Sequence, residues 1–542
     1  MVDSLVVPAW ANRVLADLAS ADFAELVLLI VGDAPAEASR RGRVRSALRH
    51  GLLAAYTTVD RRVFRDANDA LAPVDLSDAF PDVPRLSLAP TAGPVLETPA
   101  GGALDVILCL GEGATAEELA PFARHGAWGV YYGDEGSVDA RPAALFWPVY
   151  AGRSISTAVV ACRRAGDGEA ARAAHVSFSS TDPISLYRNQ NRLHWKAAYV
   201  LVQRLRALRK RGEGYLDELP RVPFPQRPAR RPSSGQVIAH SLRILARVIA
   251  RRLRTWLWWE QWFIAYRRRQ TTGGDIPSTA GDFVPIPPPA KTFFADPFLI
   301  EQDGRHYAFF EEYSSGTNKG FISYVEIADG RHVGPKRVAL QGDHHLSYPF
   351  VFSQDGAVYM LPETRDKRTV ELYRARRFPD EWSLERILLS DISAVDPTLL
   401  WDDGRFWLFL NVAVPGTRVS EDLFLYWAES LSAQWTPHSM NPVISDTRCA
   451  RPAGRIFRHG DAWVRPGQDC SRAYGSAVVF NRIDVLTEDE YRETEIGRFG
   501  TDWIERNIGT HSYNFDSRYE IVDGRRSRLR LVPGAVGAHE RG

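Results

Sequence analysis

Five short segments in the second half of the chain place a polar or titratable residue at the same point of a repeated pattern. They are Ala295-Asp296-Pro297-Phe298, Ser347-Tyr348-Pro349-Phe350, Val395-Asp396-Pro397-Thr398, Cys449-Ala450-Arg451-Pro452 and the weaker Thr510-His511-Ser512-Tyr513. A ring holding Asp296, Tyr348, Asp396, Arg451 and His511 is a polar funnel of the composition that sugars require. Carboxylates accept paired hydroxyls, and two of them can divide acid and base roles. Further polar residues follow closely in sequence, among them Glu311, Glu312, His344, His345, Glu363, Arg465, Gln468 and Asp469. An Asp before Pro often serves only to satisfy backbone amides at a turn. Two of them at equivalent places in two repeats, Asp296 and Asp396, favour function. Arg451 and Arg465 suit a phosphate or acidic sugar, because guanidinium forks grip such groups in bidentate fashion.

The elements that must hold these residues repeat. Each segment begins a strand and is followed by a turn glycine and an aromatic strand: Gly304 with Tyr307–Phe310, Asp355-Gly356 with Tyr359–Leu361, Asp403-Gly404 with Phe406–Phe409, Gly460 with Trp463, and Asp523-Gly524. The starts lie about fifty to sixty residues apart, the period of a β-propeller blade. Asp-Gly turns a hairpin and alternating aromatics bury one blade on the next. The expectation is a five-bladed propeller over 271–535, with Gln261–Tyr266 supplying a missing strand to the last blade.

Residues 1–215 read as α/β with a C-terminal helix. The apolar runs 26–33 and 105–111 have the character of buried parallel strands, and the expectation is a doubly wound sheet. Trp195, Tyr199, Val202, Leu205 and Leu208 recur at helical spacing within 189–211. Residues 216–270 form a Pro/Arg-rich linker and then a basic helix. Arg243, Arg247, Arg251, Arg252 and Arg254 stand there among apolar residues, with Trp256, Trp258, Trp259 and Trp262 at its end. Two readings of 236–270 fit. One is an interfacial helix on an anionic membrane, with Trp at headgroup level. The other is a helix docked between domains.

The 542 residues carry a net charge of +1, so nucleic acid is not an expected partner. Four cysteines without metal-ligand spacing imply neither a disulfide framework nor a metal site, and no cofactor is expected. Without a signal-like N-terminus or a spanning segment, the expected place is the cytoplasm, peripheral to the membrane if the basic helix engages it.

The stretches KTFFADPFL, HLSYPFVF, YMLPET, VDPTLLWDDGRFWLF, RPAGR and RPGQDCSRAYG resemble the N-terminal propeller of plant glucosamine inositolphosphorylceramide transferases and bacterial relatives. More distantly the segment is similar to five-bladed glycoside hydrolases of the arabinanase and xylosidase type. That resemblance implies a base at Asp296, a second carboxylate at Asp396 and an acid at Glu363. Position in the repeat, apart from that resemblance, offers Glu312, His345, Tyr348, Arg451, Arg465, Gln468, Asp469 and His511 as substrate contacts. Tyr348 stands where the second blade of the hydrolases offers Asp. DVILCLGEG and the stretch 126–164 resemble the folate-dependent formyltransferase domain. The Asn-x-His pair of that chemistry is replaced by Gly129-Val130-Tyr131-Tyr132-Gly133-Asp134, which argues against formyl transfer and leaves Asp134, Glu135 and Asp139 as local acids. The functional expectation is a carbohydrate-active or carbohydrate-binding protein of surface glycan or glycolipid synthesis, handling a sugar nucleotide or lipid-linked saccharide. The alternatives are a glycan-binding scaffold, or a glycoside hydrolase using Asp296, Asp396 and Glu363.

Overall fold

The computed structural model describes all residues except 33–39, 89–103, 112–115, 135–136, 140, 169, 224–229, 270–275, 278, 280, 315, 317, 329–331 and 531–542. Asp33, Glu135, part of the linker and the final residues of the expected propeller therefore lie outside the described residues. The chain divides into two compact units, Met1–Ile249 with Val414–Thr417, and Ala250–Ala413 with Arg418 onward.

In the first unit, strand Leu29–Gly32 pairs in parallel with Arg85–Leu88. A larger sheet has the order Arg221–Pro223, Ala170–Ser180, Ile155–Arg163, Ala127–Asp134, Ile107–Cys109. Within that path only Ile107–Cys109 and Ala127–Asp134 run parallel; the other pairings are antiparallel. The sheet is thus mixed, and the expected doubly wound arrangement is corrected. Part of the reason is loop length. Ile155–Arg163 and Ala170–Ser180 are joined by a short turn with Gly166 and Gly168 at φ 89° and 66°. A parallel crossover needs a dozen or more residues. The helix Leu186–Arg211 starts at Ser185, whose hydroxyl accepts the Arg188 N–H at 3.1 Å. It buries Leu193, Ala197, Leu201, Leu205 and Leu208, spaced by three and four residues, together with Ala198, Val200 and Val202 on adjoining faces, so most of its circumference is packed.

Among the described residues, the second unit contains five antiparallel sheets. In the first three, the inner hairpins turn at Asp303-Gly304, Asp355-Gly356 and Asp403-Gly404. Both residues of each pair have positive φ, from 46° to 75°, the geometry of a two-residue turn matched to strand twist. The fifth blade is built from both ends of the unit. Trp258–Arg268 pairs along its whole length with Tyr519–Leu529, and Val284–Ile286 and Tyr513–Phe515 flank them. This closure hides the edge that a linear array of blades would expose. Asp523-Gly524 is not the hairpin turn that its sequence suggests. It lies inside Tyr519–Leu529, opposite Ile264 and Phe263. Gly524 is needed for close approach, since a Cβ there would meet Phe263 at 2.6 Å and Trp503 at 2.8 Å. Apolar seams join neighbouring blades. Phe294, Leu299 and Phe310 pack with Ile264, Tyr266 and Ile521. Leu400, Trp407 and Phe409 pack with Ile456 and Tyr491. Each buried Phe contributes about 1.5–3 kcal/mol of transfer free energy.

Candidate functional site

A bulge opens the inner strand of the first three blades. Pairing skips from Ala295 to Phe298, from Ser347 to Phe350 and from Val395 to Thr398. Asp296, Tyr348 and Asp396 sit in these bulges with φ of 51°, 44° and 52°. Left-handed backbone at a non-glycine residue costs on the order of 1–3 kcal/mol and concentrates at functional sites. Asp tolerates it better than Tyr does. Three repeats of the same costly conformation turn three side chains toward the hub.

The two Asp residues are answered by the two remaining blade starts. His511 lies between Asp296 and Asp523, with Nε2 3.0 Å from one carboxylate and Nδ1 2.7 Å from the other. Ser512 donates its hydroxyl to Asp296 at 3.0 Å. Arg451 grips both oxygens of Asp396, at 2.5 and 3.2 Å, and Gln468 donates its amide to the same carboxylate at 3.1 Å. Tyr348 is fully buried. Its hydroxyl accepts the Gly454 N–H at 2.9 Å and meets Thr398 Oγ1 at 2.8 Å, so it plugs the hub and is not open to a ligand.

A second set of polar residues stands on the neighbouring strands. Glu311, Glu363 and Asn411 face Ala295, Ser347 and Val395, the residues immediately before the bulges. All three are buried. Glu311 lies 3.5 Å from His345 Nε2. Both polar atoms of the Asn411 amide are buried without a hydrogen-bond partner. An unanswered buried amide costs about 1–3 kcal/mol, a cost relieved by a ligand that bonds to it.

The cluster divides protons unevenly. Burial raises the Asp296 carboxyl, but the neighbouring His511 imidazolium, Arg451 and the Ser512 hydroxyl carry it below its ordinary value. Burial pushes His511 down, and Asp523 and Asp296 overcome this, raising it to about 10. Burial, with Asp396 beside it, raises Glu363 to about 8. Burial and the charges of Asp296 and Glu363 hold Glu311 well above the carboxylate range. Burial also raises Asp396 against the pull of Arg451. At neutral pH the hub therefore contains an ionised Asp296 and a protonated Glu363, two carboxyl groups driven apart by their surroundings.

Aromatic rings flank the cluster. Trp262 and Tyr474 lie 4.2 and 5.1 Å from the His511 ring, and Phe293 stacks on Tyr313 at 4.6 Å near His345. Asp296, His511 and Asp523 also bring one ligand atom each within 4.8 Å of one another, a grouping able to hold a metal ion. Here the imidazole itself fills the space between the two carboxylates.

Of the residues named from sequence, the fold brings together Asp296, Asp396, Glu363, Arg451, Gln468 and His511, with His345 at their edge. Three others stand elsewhere. Glu312 points to the opposite side of its strand from Glu311 and takes bonds from Ser323 and Lys336. Arg465 is bound to both oxygens of Glu493, at 2.8 and 2.6 Å. Asp469 is held by Arg498 and caps the Ser471 N–H. The phosphate argument built on Arg451 and Arg465 is corrected with them, since both forks are spent on protein carboxylates. Glu311, also named from sequence, joins the hub cluster, which Asn411 and Asp523 complete. Strand alternation points to Glu311 over Glu312. Asp523 was masked by its turn-like Asp-Gly sequence.

Residues 286–526 match the family described as glucosamine inositolphosphorylceramide transferase 1, N-terminal. The propeller carries that match. Glucosamine inositolphosphorylceramide transferase 1 of Arabidopsis thaliana is 37% identical over 210 residues, covering 38% of this chain and 27% of the relative. The protein of the same name from Oryza sativa subsp. japonica is 35% identical over 237 residues, covering 43% of this chain and 31% of the relative. The matched stretch thus spans less than a third of the curated relatives. Among solved structures, a GH43_1 enzyme from Xanthomonas citri is 12% identical over 44% of this chain and 87% of its own, with a TM-score of 0.33. The β-xylosidase/α-arabinofuranosidase CoXyl43 from a compost metagenome is 13% identical over 44% of this chain and 90% of its own, with a TM-score of 0.32.

Proposed function

We propose that the propeller hub binds a saccharide and acts on it in the assembly of surface glycans or glycolipids. The observation that carries this reading is the pair of buried carboxyl groups in opposite protonation states, Asp296 below its ordinary value and Glu363 at about 8. Making or breaking a glycosidic bond needs a group that gives a proton to an oxygen and another that stabilises or deprotonates its partner. Glu363 is suited to the first role and Asp296 to the second, with His511 fixing the charge of Asp296. Carboxylates outnumber free cations in the hub, so the sugar hydroxyls or an amine are the groups bound there. The phosphate of a nucleotide or lipid carrier lies outside it. The relatives are named for glucosamine and inositolphosphorylceramide, and an amino sugar with a sphingolipid is the substrate pair of this proposal.

One observation favours a second reading, a glycan-binding scaffold: Tyr348 plugs the hub where the resemblance calls for a carboxylate. The first unit is taken as non-catalytic. Its strand Ala127–Asp134 buries Tyr131 and Tyr132 where formyl transfer needs Asn and His. Calorimetric titration of the whole chain with glucosamine, UDP-N-acetylglucosamine and inositolphosphorylceramide micelles, followed by product analysis, separates these readings. Turnover that Glu363→Gln abolishes, with binding retained, supports the enzyme. Binding without turnover supports the scaffold. No binding of any of the three overturns both.

A further inference from the structure

The basic helix Ser234–Leu257 has two sides, and the structure gives them different partners. On one side, Val237 and His240 are buried. His240 lies 3.1 Å from the Tyr56 hydroxyl and 4.8 Å from the Phe146 ring. Arg243 sits over the Tyr150 ring at 4.7 Å, and Arg247 donates to the Pro183 carbonyl at 2.9 Å. This side is docked, and these two arginines help to dock it.

The other side has no cover among the described residues. Ile238, Leu242, Leu245, Ile249, Leu253 and Trp256 are exposed by 51 to 72%. Their spacing of three or four residues places them in one continuous stripe. A contiguous apolar stripe of this length marks an interaction surface. The charge around it indicates the partner. The helix contains five arginines and no acidic residue. Arg252 is exposed beside the stripe, whereas Arg251, four residues after Arg247, continues the docked row. Trp256 and Trp258 stand exposed at its end, the residues favoured at a headgroup boundary.

We propose that this stripe lies in the surface of an anionic bilayer, with Arg252 on the headgroups. An in-plane amphipathic helix binds by apolar insertion and by attraction to anionic lipid together. No helix among the described residues is long and apolar enough to cross a membrane, so contact here is lateral. The proposal does not depend on what the hub binds.

The test is co-sedimentation of the whole chain with phosphatidylcholine vesicles, with and without about 30 mol % phosphatidylglycerol. The wild type is expected to bind the anionic vesicles and to release as salt is raised. The variant Leu242→Ser/Ile249→Ser/Trp256→Ser should bind at least about tenfold more weakly with its melting temperature unchanged, because those side chains touch solvent. Arg252→Glu, which leaves the apolar stripe intact, should weaken the preference for anionic lipid. Absence of wild-type binding, or full binding by both variants, overturns the proposal. So does a dimer seen by light scattering that the stripe variant dissolves while vesicles go unbound.

Discussion

Two clusters of buried charge lie in the same propeller and are used differently. In the fourth blade, Arg465 and Glu493 are 1% and 3% exposed, and the guanidinium holds both carboxylate oxygens. Tyr491 donates to the same carboxylate. At the hub, Asp296 and Asp396 are as deeply buried and are also answered by cations. There, however, Glu311 has only a distant His345, and the Asn411 amide has no partner. Burial and charge alone therefore do not distinguish structure from site. The distinction is whether each carboxyl and amide is matched within the protein. In the Arg465 cluster the carboxylate is matched on both oxygens, and only one guanidinium nitrogen, Nη1, is left without a partner. The hub leaves a whole amide unanswered and holds its acids with left-handed backbone.

The largest effect that can break this contrast is on the closed cluster. Glu493→Ala leaves Arg465 as an uncompensated buried cation and should cost about 3–5 kcal/mol of stability, measured by denaturant unfolding. Saccharide affinity of the folded remainder should not change. Loss of affinity with little loss of stability would place Arg465 in the site after all. The converse applies to Asp296→Asn, which keeps shape and leaves His511 its second carboxylate, Asp523. It should cost about 1–2 kcal/mol while saccharide affinity or turnover falls at least about tenfold. A large stability loss with binding intact would make Asp296 a strand-start device only.

Much of the propeller was legible in the sequence because its signals are local. An Asp-Gly pair sets its own turn, and aromatic alternation needs no knowledge of distant residues. The same locality explains the blade starts Asp296, Asp396, Arg451 and His511, each marked by its place before or near a strand. What was hidden depends on pairing across the fold. Arg465 looks like a ligand for phosphate until Glu493, twenty-eight residues on, is seen beside it. Asp523-Gly524 carries a turn signature, yet tertiary packing against Phe263 and Trp503 draws it into a strand. In the first unit, buried strands looked alike whether parallel or antiparallel, because apolar runs carry no direction.

The pH response sharpens the contrast next. Glu363 has an ordinary value of 4.5 and stands at about 8 in the fold. Between these values the folded state keeps a proton that the unfolded chain loses, so stability falls as pH rises and levels off above about 8. His511, raised from 6.5 to about 10, adds in the same direction, since its stabilisation is full below 6.5 and is lost as pH climbs through its folded value. Thermal melts from about pH 5 to about pH 10 should show a steady decline. Glu363→Gln should remove its earlier part and leave the later part. An unchanged profile in that variant would mean that Glu363 is ionised at neutral pH and does not serve as the acid.

The smallest expected effect tests a single step of strand register. Glu311 and Glu312 are adjacent and both buried, yet only Glu311 faces the hub; Glu312 binds Ser323 at 2.7 Å and Lys336. The Lys336 side chain is 35% exposed, so solvent screens part of that ion pair. Glu312→Gln keeps the bond to Ser323 and should cost no more than about 1 kcal/mol, with saccharide affinity unchanged. Glu311→Gln removes a titrating group beside Asp296 and should weaken binding while hardly altering the melt. The two variants have the same chemistry one residue apart, and alternation sends them to opposite faces. If Glu312→Gln impaired binding and Glu311→Gln did not, the strand would face the other way, and the set formed by Glu311, Glu363 and Asn411 would not line the hub.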